Sequence, residues 1–102
     1  MTLKLVSALD NGGKTIDRYT LCFRDSSHST FNGRHRSHYL IAVCDDPIDS
    51  QGVVKYHGYM GFLPHTDENP GWGLPVAFDA LPSKVREFVQ LREKHGLPFR
   101  YE

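Results

Sequence analysis

Net charge is missing from this chain of 102 residues: twelve Lys and Arg stand against twelve Asp and Glu. Nothing global draws such a chain to nucleic acid or to an anionic membrane, so any contact of that kind has to come from a local patch. Cysteine is scarce, with Cys22 and Cys44 alone. Small secreted domains that rely on disulfides are much denser in cysteine, so both thiols are expected reduced and the compartment cytoplasmic. No apolar run approaches the roughly 18–20 residues that a membrane span needs. The opening Met1-Thr2-Leu3-Lys4-Leu5-Val6 meets Asp10 too soon to hold the core of a secretion signal. Internal repeats and low-complexity stretches are also missing. Disorder is not expected, because 39% hydrophobic and 12% aromatic residues supply a core.

Catalytic signatures are absent too. There is no G-x-S-x-G, no H-E-x-x-H and no C-x-x-C. Gly13-Lys14-Thr15 has the ending of a phosphate-binding loop, but Ala8 stands where that loop needs its first glycine, and a strand pattern follows the lysine where a helix is required. Asp45, Asp46 and Asp49 do not form a calcium loop, since Pro47 takes the third position. Ser37 and Ser50 neighbour histidine or aspartate in sequence, which does not build a triad. No enzymatic role and no cofactor are expected.

What is present is a patterned α+β chain, read as one domain over residues 1–102. Residues 2–9 form a first strand, and Asn11-Gly12-Gly13 carries the chemistry of a tight hairpin turn. Residues 15–24 then alternate, with Tyr19, Leu21 and Phe23 on one face. Residues 25–37 are polar and contain Asn32-Gly33, which predicts a long loop. The nearly continuous apolar run over 38–44 predicts a central strand covered on both faces. Residues 45–52 are turn chemistry, 53–60 a further strand, and 61–75, with three prolines, three glycines and Trp72, an irregular segment. The clearest element is a helix over about 82–95. Leu81, Val85, Phe88, Val89 and Leu91 share one side of its wheel, Asp79 or Leu81 is the expected cap, Pro82 suits the first turn and Gly96 the end. Arg92 falls inside the apolar arc and is expected to reach outward. The fold expected is an antiparallel sheet of three to five strands with this C-terminal helix packed on one face.

Charge is uneven along the chain. Arg24, Arg34 and Arg36 share the 24–39 stretch with His28, His35, His38, Phe31 and Tyr39, a mixture that holds phosphates and stacks on bases. The contact residues expected are Arg34, His35, Arg36 and Tyr39, with Trp72 second. Six histidines also raise a metal reading. Its ligands would be His35, His38, His57 and His65, which must converge from three segments to satisfy a tetrahedral ion. Exposed loop histidines with buried thiols are the simpler account of the same residues.

Three pieces in order resemble a group of small uncharacterised proteins of bacteriophages and mobile elements: Thr15-Ile16-Asp17-Arg18-Tyr19-Thr20, Asp46-Pro47 with Ser50-Gln51-Gly52, and Gly73-Leu74-Pro75-Val76-Ala77-Phe78-Asp79-Ala80-Leu81-Pro82. The group shares a "DRYT" strand and a "G-x-x-V-x-F-x-x-LP" lead into the last helix. The 25–37 segment looks like an insertion. The resemblance implies a phage-type origin and residence in a bacterial host cell, and transfers no functional residue.

Three functions follow as expectations. The first is a small non-enzymatic interaction or accessory protein that binds a bacterial or viral protein, in its narrower form as an inhibitor of a host system. The second is binding of RNA or single-stranded nucleic acid through 24–39. The third is a small metal-dependent enzyme using the histidines. A homodimer is compatible with each of them.

Overall fold

A computed structural model describes residues 3–31, 34–52, 57–63 and 73–96, and within these the side chains other than those of 25–31, 34–38 and 57–63. Among them the chain forms an open antiparallel sheet and one α-helix. The strands are β1 (Leu3–Asp10), β2 (Tyr19–Phe31), β3 (Arg34–Val43), β4 (His57–Leu63) and the two-residue β5 (Leu74–Pro75), in the order β4-β3-β2-β1-β5. A 3-10 turn over Phe78–Ala80 leads into α1 (Ser83–His95).

The alternation in β2 decides which face α1 covers. Tyr19, Leu21 and Phe23 stand opposite Val43, Ile41 and Tyr39 of β3. All six join one buried cluster with Leu81, Val85, Phe88 and Val89 of the helical segment. Burial of each such side chain contributes about 1.5–3 kcal/mol, and α1 supplies its share from one stripe. The alternate positions Leu9, Thr20, Cys22, Leu40 and Ala42 are also buried. β3 is therefore covered on both faces, which is why its apolar run is continuous.

A bulge in β1 keeps this arrangement consistent. Leu5 pairs with Phe23 and Ser7 with Cys22, so Val6 is the extra residue. Leu3, Leu5 and Ala8 thereby all contribute to the helix-side cluster, which strict alternation along an unbroken strand would forbid. The bulge lies where α1 meets the strand. The Leu5 N–H donates to the Glu93 carboxylate at 2.9 Å, so a helix side chain satisfies an outward-facing backbone donor of β1.

Several expectations need correction. The Asn11-Gly12-Gly13 turn is not a two-residue hairpin: the connection runs from Asn11 to Arg18, and β2 begins at Tyr19. Residues 25–37 are not a long loop. β2 continues to Phe31 and β3 begins at Arg34, with Ser29↔Arg36, Thr30↔His35 and Phe31↔Arg34 in register. Polar Ser, Thr and His read as loop, but an extended two-stranded ribbon needs no buried face and tolerates them. The irregular 61–75 segment is strand at both described ends, in β4 and β5, and residues 64–72 lie outside the described part. Asp79 and Leu81 do not cap the helix. Pro82 occupies that position with no side-chain cap bond, its carbonyl accepting from the Val85 and Arg86 N–H groups at 3.0 Å each. Gly96 ends α1 at φ +82, a conformation that favours glycine, and its N–H returns to the Arg92 carbonyl at 2.7 Å.

Candidate functional site

The sheet has two distinct ends. At one end β2 and β3 outrun their neighbours. The last pairing on the β1 side is Leu3↔Asp25, and on the β4 side His38↔Leu63. Beyond those pairs no described strand flanks β2 or β3, so they continue as a two-stranded arm. Four residues of β3, Arg34 to Ser37, carry it roughly 13 Å past the sheet at ~3.3 Å per residue. The register slips between Arg24 and Ser29, where Asp25–His28 of β2 stand against Ser37 alone. Residues 24–39 hold three arginines and one aspartate, a net +2, together with three histidines.

The predicted contact residues separate. Arg34, His35 and Arg36 all lie on the arm. Tyr39 does not belong with them: it is 3% exposed and packs in the helix-side cluster, so it is a core residue unavailable to a partner. Trp72 lies outside the described residues. The metal set does not gather either. His38 and His57 pair at opposite ends of the β3–β4 ladder, with Leu63 and Val43 respectively. Five residues of strand separate them by roughly 16 Å, too far for one ion bound at ~2.0–2.1 Å from each imidazole. His65 lies outside the described residues. Among the described residues no three His, Cys, Asp or Glu side chains come together as a metal site. Cys22 is buried in β2 and Cys44 half-buried after β3, and neither is in a disulfide.

The opposite end is built by the β1–β2 connection and β5, and its polar groups are occupied internally. Asp10 accepts from Arg18 Nε at 2.9 Å and Nη2 at 3.1 Å, and from the Gly12 N–H at 2.8 Å. Those bonds, from Arg18 first and then Gly12, hold the Asp10 carboxyl below its ordinary pKa. The Arg18 guanidinium also sits 5.4 Å from the Tyr19 ring centroid. Asn11 Nδ2 donates to Thr15 Oγ1 at 2.9 Å and to the Asp17 carbonyl at 3.2 Å. Its Oδ1 accepts from the Gly13 and Lys14 N–H groups at 2.8 and 3.1 Å. This settles the phosphate-loop resemblance of Gly13-Lys14-Thr15. The three backbone N–H groups that would cradle a phosphate are bonded to Asp10 and Asn11.

Gly73 makes the other wall. Its φ is +152, and a Cβ there would stand 2.6 Å from the Asp10 carbonyl oxygen. Only glycine lets β5 approach so closely. Between the two walls lies an open groove of about 880 Å³, lined by the turn and by Leu74, Pro75 and Val76. Among the described residues, Leu74 and Ile16 are the exposed large hydrophobics, at 76% and 78%. Residue-by-residue reading missed this end. Its signal was Ile16, an apolar residue inside an otherwise polar connection.

No protein-family model, curated protein or solved structure matches the chain. No helix among the described residues is long and apolar enough to cross a membrane.

Proposed function

We propose that this protein is a non-enzymatic binding protein that engages nucleic acid through the β2–β3 arm. The observation that carries the reading is the arm itself: two strands continue past both neighbours, over a stretch that holds Arg34 and Arg36, no acidic residue, and two histidines, His28 and His35. A two-stranded ribbon has the dimensions that enter a nucleic-acid groove. Arg24, Arg34 and Arg36 supply the phosphate-neutralising charge that a neutral chain lacks as a whole.

Gel shifts test it, with a single-stranded RNA, a single-stranded DNA and a duplex of about 20 base pairs. Three neutralised phosphates give a duplex slope near −2.7 in log K against log salt, or roughly a 40-fold loss of affinity between 50 and 200 mM. Replacing Arg34 and Arg36 by Ala leaves one cation and reduces that loss to roughly 3–4-fold. If none of the three probes shows a salt-sensitive shift, the reading fails.

A second reading is favoured by the exposed pair Ile16 and Leu74: an accessory protein of phage or mobile-element type, acting in a bacterial host cell, that binds a bacterial or viral protein. Inhibition of a host system is its narrower form. Pull-down from bacterial lysate with the whole chain and with an Ile16→Ser, Leu74→Ser double variant checks it. A specific band lost in the variant supports the reading, and identical recoveries from both remove it.

A further inference from the structure

The groove at the end of the sheet opposite the arm has one open functional group and an apolar wall. Asp10 and Asn11 are engaged by Arg18 and by backbone N–H groups. Thr15 Oγ1 accepts from Asn11 Nδ2 and donates to the Asp17 carbonyl. Of the side chains lining the groove, Lys14 alone brings a charge not taken up inside the turn, and it is exposed. Leu74, Pro75 and Val76 form the apolar side. Gly73 holds that side against the Asp10 carbonyl, so the groove is built by backbone approach and not by movable side chains.

We propose that this groove binds a short peptide segment of a partner protein, placing an apolar side chain against Leu74 and Val76 and a C-terminal carboxylate against Lys14. The charge complementarity follows from Lys14 having no ion-pair partner among the described residues. A nest of backbone N–H groups, the usual trap for a terminal carboxylate, is filled by Asp10 and Asn11, which leaves the ammonium to do that work. The occupant is a peptide and not a free aliphatic acid because the groove is open along its length. A long alkyl chain lying in it would stay wet, whereas one or two side chains can be covered. The peptide does not extend the sheet as a further full strand. The Val76 N–H donates inward to the Ala8 carbonyl at 2.9 Å, so residue 75 presents its backbone outward, and as proline it has no N–H to offer. The carbonyl of Pro75 is left as an acceptor for one peptide N–H. This site is independent of the arm, and either can fail alone.

The test is a titration of the full ¹⁵N-labelled chain, followed by amide shifts. The probes are N-acetyl-Ser-Gly-Leu-Leu with a free carboxylate, the same peptide as its C-terminal amide, and hexanoate. The free-acid peptide should shift the amides of Gly12, Gly13, Lys14, Thr15, Leu74 and Val76 in a saturable way. The amide form should bind at least five-fold more weakly. Lys14→Glu should abolish the response and Lys14→Arg should keep it, both at one exposed position, and the same spectra verify that each variant is folded. No shift at those amides overturns the proposal. So does equal binding of the acid and the amide, or a Lys14→Glu chain that binds unchanged. Hexanoate binding as tightly as the peptide would assign the groove to free carboxylic acids and overturn the peptide occupant.

Discussion

Truncating Phe88 tests whether α1 is fastened to the sheet. The side chain is fully buried, on the stripe that Val85 and Val89 share, and belongs to the same core cluster as Tyr19, Leu21 and Phe23 of β2 and Tyr39, Ile41 and Val43 of β3. Phe88→Ala removes a buried ring and leaves a cavity that a sheet cannot readily collapse into, at a cost of about 3–5 kcal/mol. The ring also lies 5.5 Å from the Arg92 guanidinium. Loss of that contact adds about 0.5–1 kcal/mol and strands a cation whose Nε is buried without a hydrogen-bond partner. Chains of this size have about 5–15 kcal/mol in total, so the variant should lose about a quarter of its stability or more. Phe88→Leu keeps most of the volume and should cost less than about 1.5 kcal/mol. Urea unfolding followed by far-UV and near-UV circular dichroism reads both. The reasoning is refuted if Phe88→Ala costs under 1 kcal/mol, or if Leu and Ala are equally tolerated, because either outcome means α1 does not pack on the strands through this ring.

Three further perturbations separate local devices from core packing. Glu93→Ala removes the acceptor for the Leu5 N–H and should cost about 1–3 kcal/mol, with faster hydrogen exchange at the Leu5 amide, while Glu93→Gln keeps an acceptor oxygen and most of the protection. Gly73→Ala should destabilise by about 2 kcal/mol or more in thermal unfolding, because the new methyl group meets the Asp10 carbonyl at 2.6 Å with φ at +152. Asp10→Asn tests the ion pair through pH. The folded-state pKa of Asp10 lies below the ordinary 3.8, so its contribution is full above that value and is lost as pH falls through the lower folded one. The wild type should therefore exceed the variant in urea midpoint at pH 6, with the gap closing as pH is taken progressively below 3.8, and a gap that stays constant with pH would refute the assignment.

Legibility from sequence followed burial. The helix was readable because Leu81, Val85, Phe88 and Val89 repeat at helical spacing and all are buried. β3 was readable because a strand covered on both faces has no polar position to confuse it. The arm was not. Ser, Thr, His and Arg between positions 25 and 37 satisfy a loop and a two-stranded ribbon equally, and only the pairing with Phe31, Thr30 and Ser29 distinguishes them. Tyr39 was misplaced as a contact residue for a related reason: it adjoins a basic stretch in sequence, while its register against Phe23 turns it into the core. The bulge at Val6 was equally hidden, since Leu3, Leu5 and Ala8 share a face only once the extra residue is known. At the groove end, the turn glycines were visible but their partners were not. Asn11 closes a longer connection by bonding across two to six residues, from Gly13 to Asp17, a pattern that the Asn-Gly pair does not announce.

The placement of both proposed contact regions follows from how β1 treats its outer edge. An exposed strand edge recruits other strands, and a small sheet with a free edge risks pairing with copies of itself. Here the β1 edge is closed by different means along its length. Glu93 takes the Leu5 N–H, the Val76 N–H meets the Ala8 carbonyl, and β5 covers Leu9 and Asp10 for only two residues. Beyond β5, Pro75 offers no donor to a further strand. One helix covers one face, and the apolar positions of the other face are buried as well. Lateral growth on this side is therefore suppressed without a long covering strand. Among the described residues the turn end keeps Lys14, Ile16 and Leu74 exposed, and the opposite strand ends carry Arg34, His35 and Arg36 along the arm. Removing the block should redirect the molecule. Pro75→Thr restores a backbone donor on the edge, and sedimentation should then show concentration-dependent association beyond whatever the wild type shows. If the variant stays as the wild type is at every concentration, Pro75 is not what protects that edge.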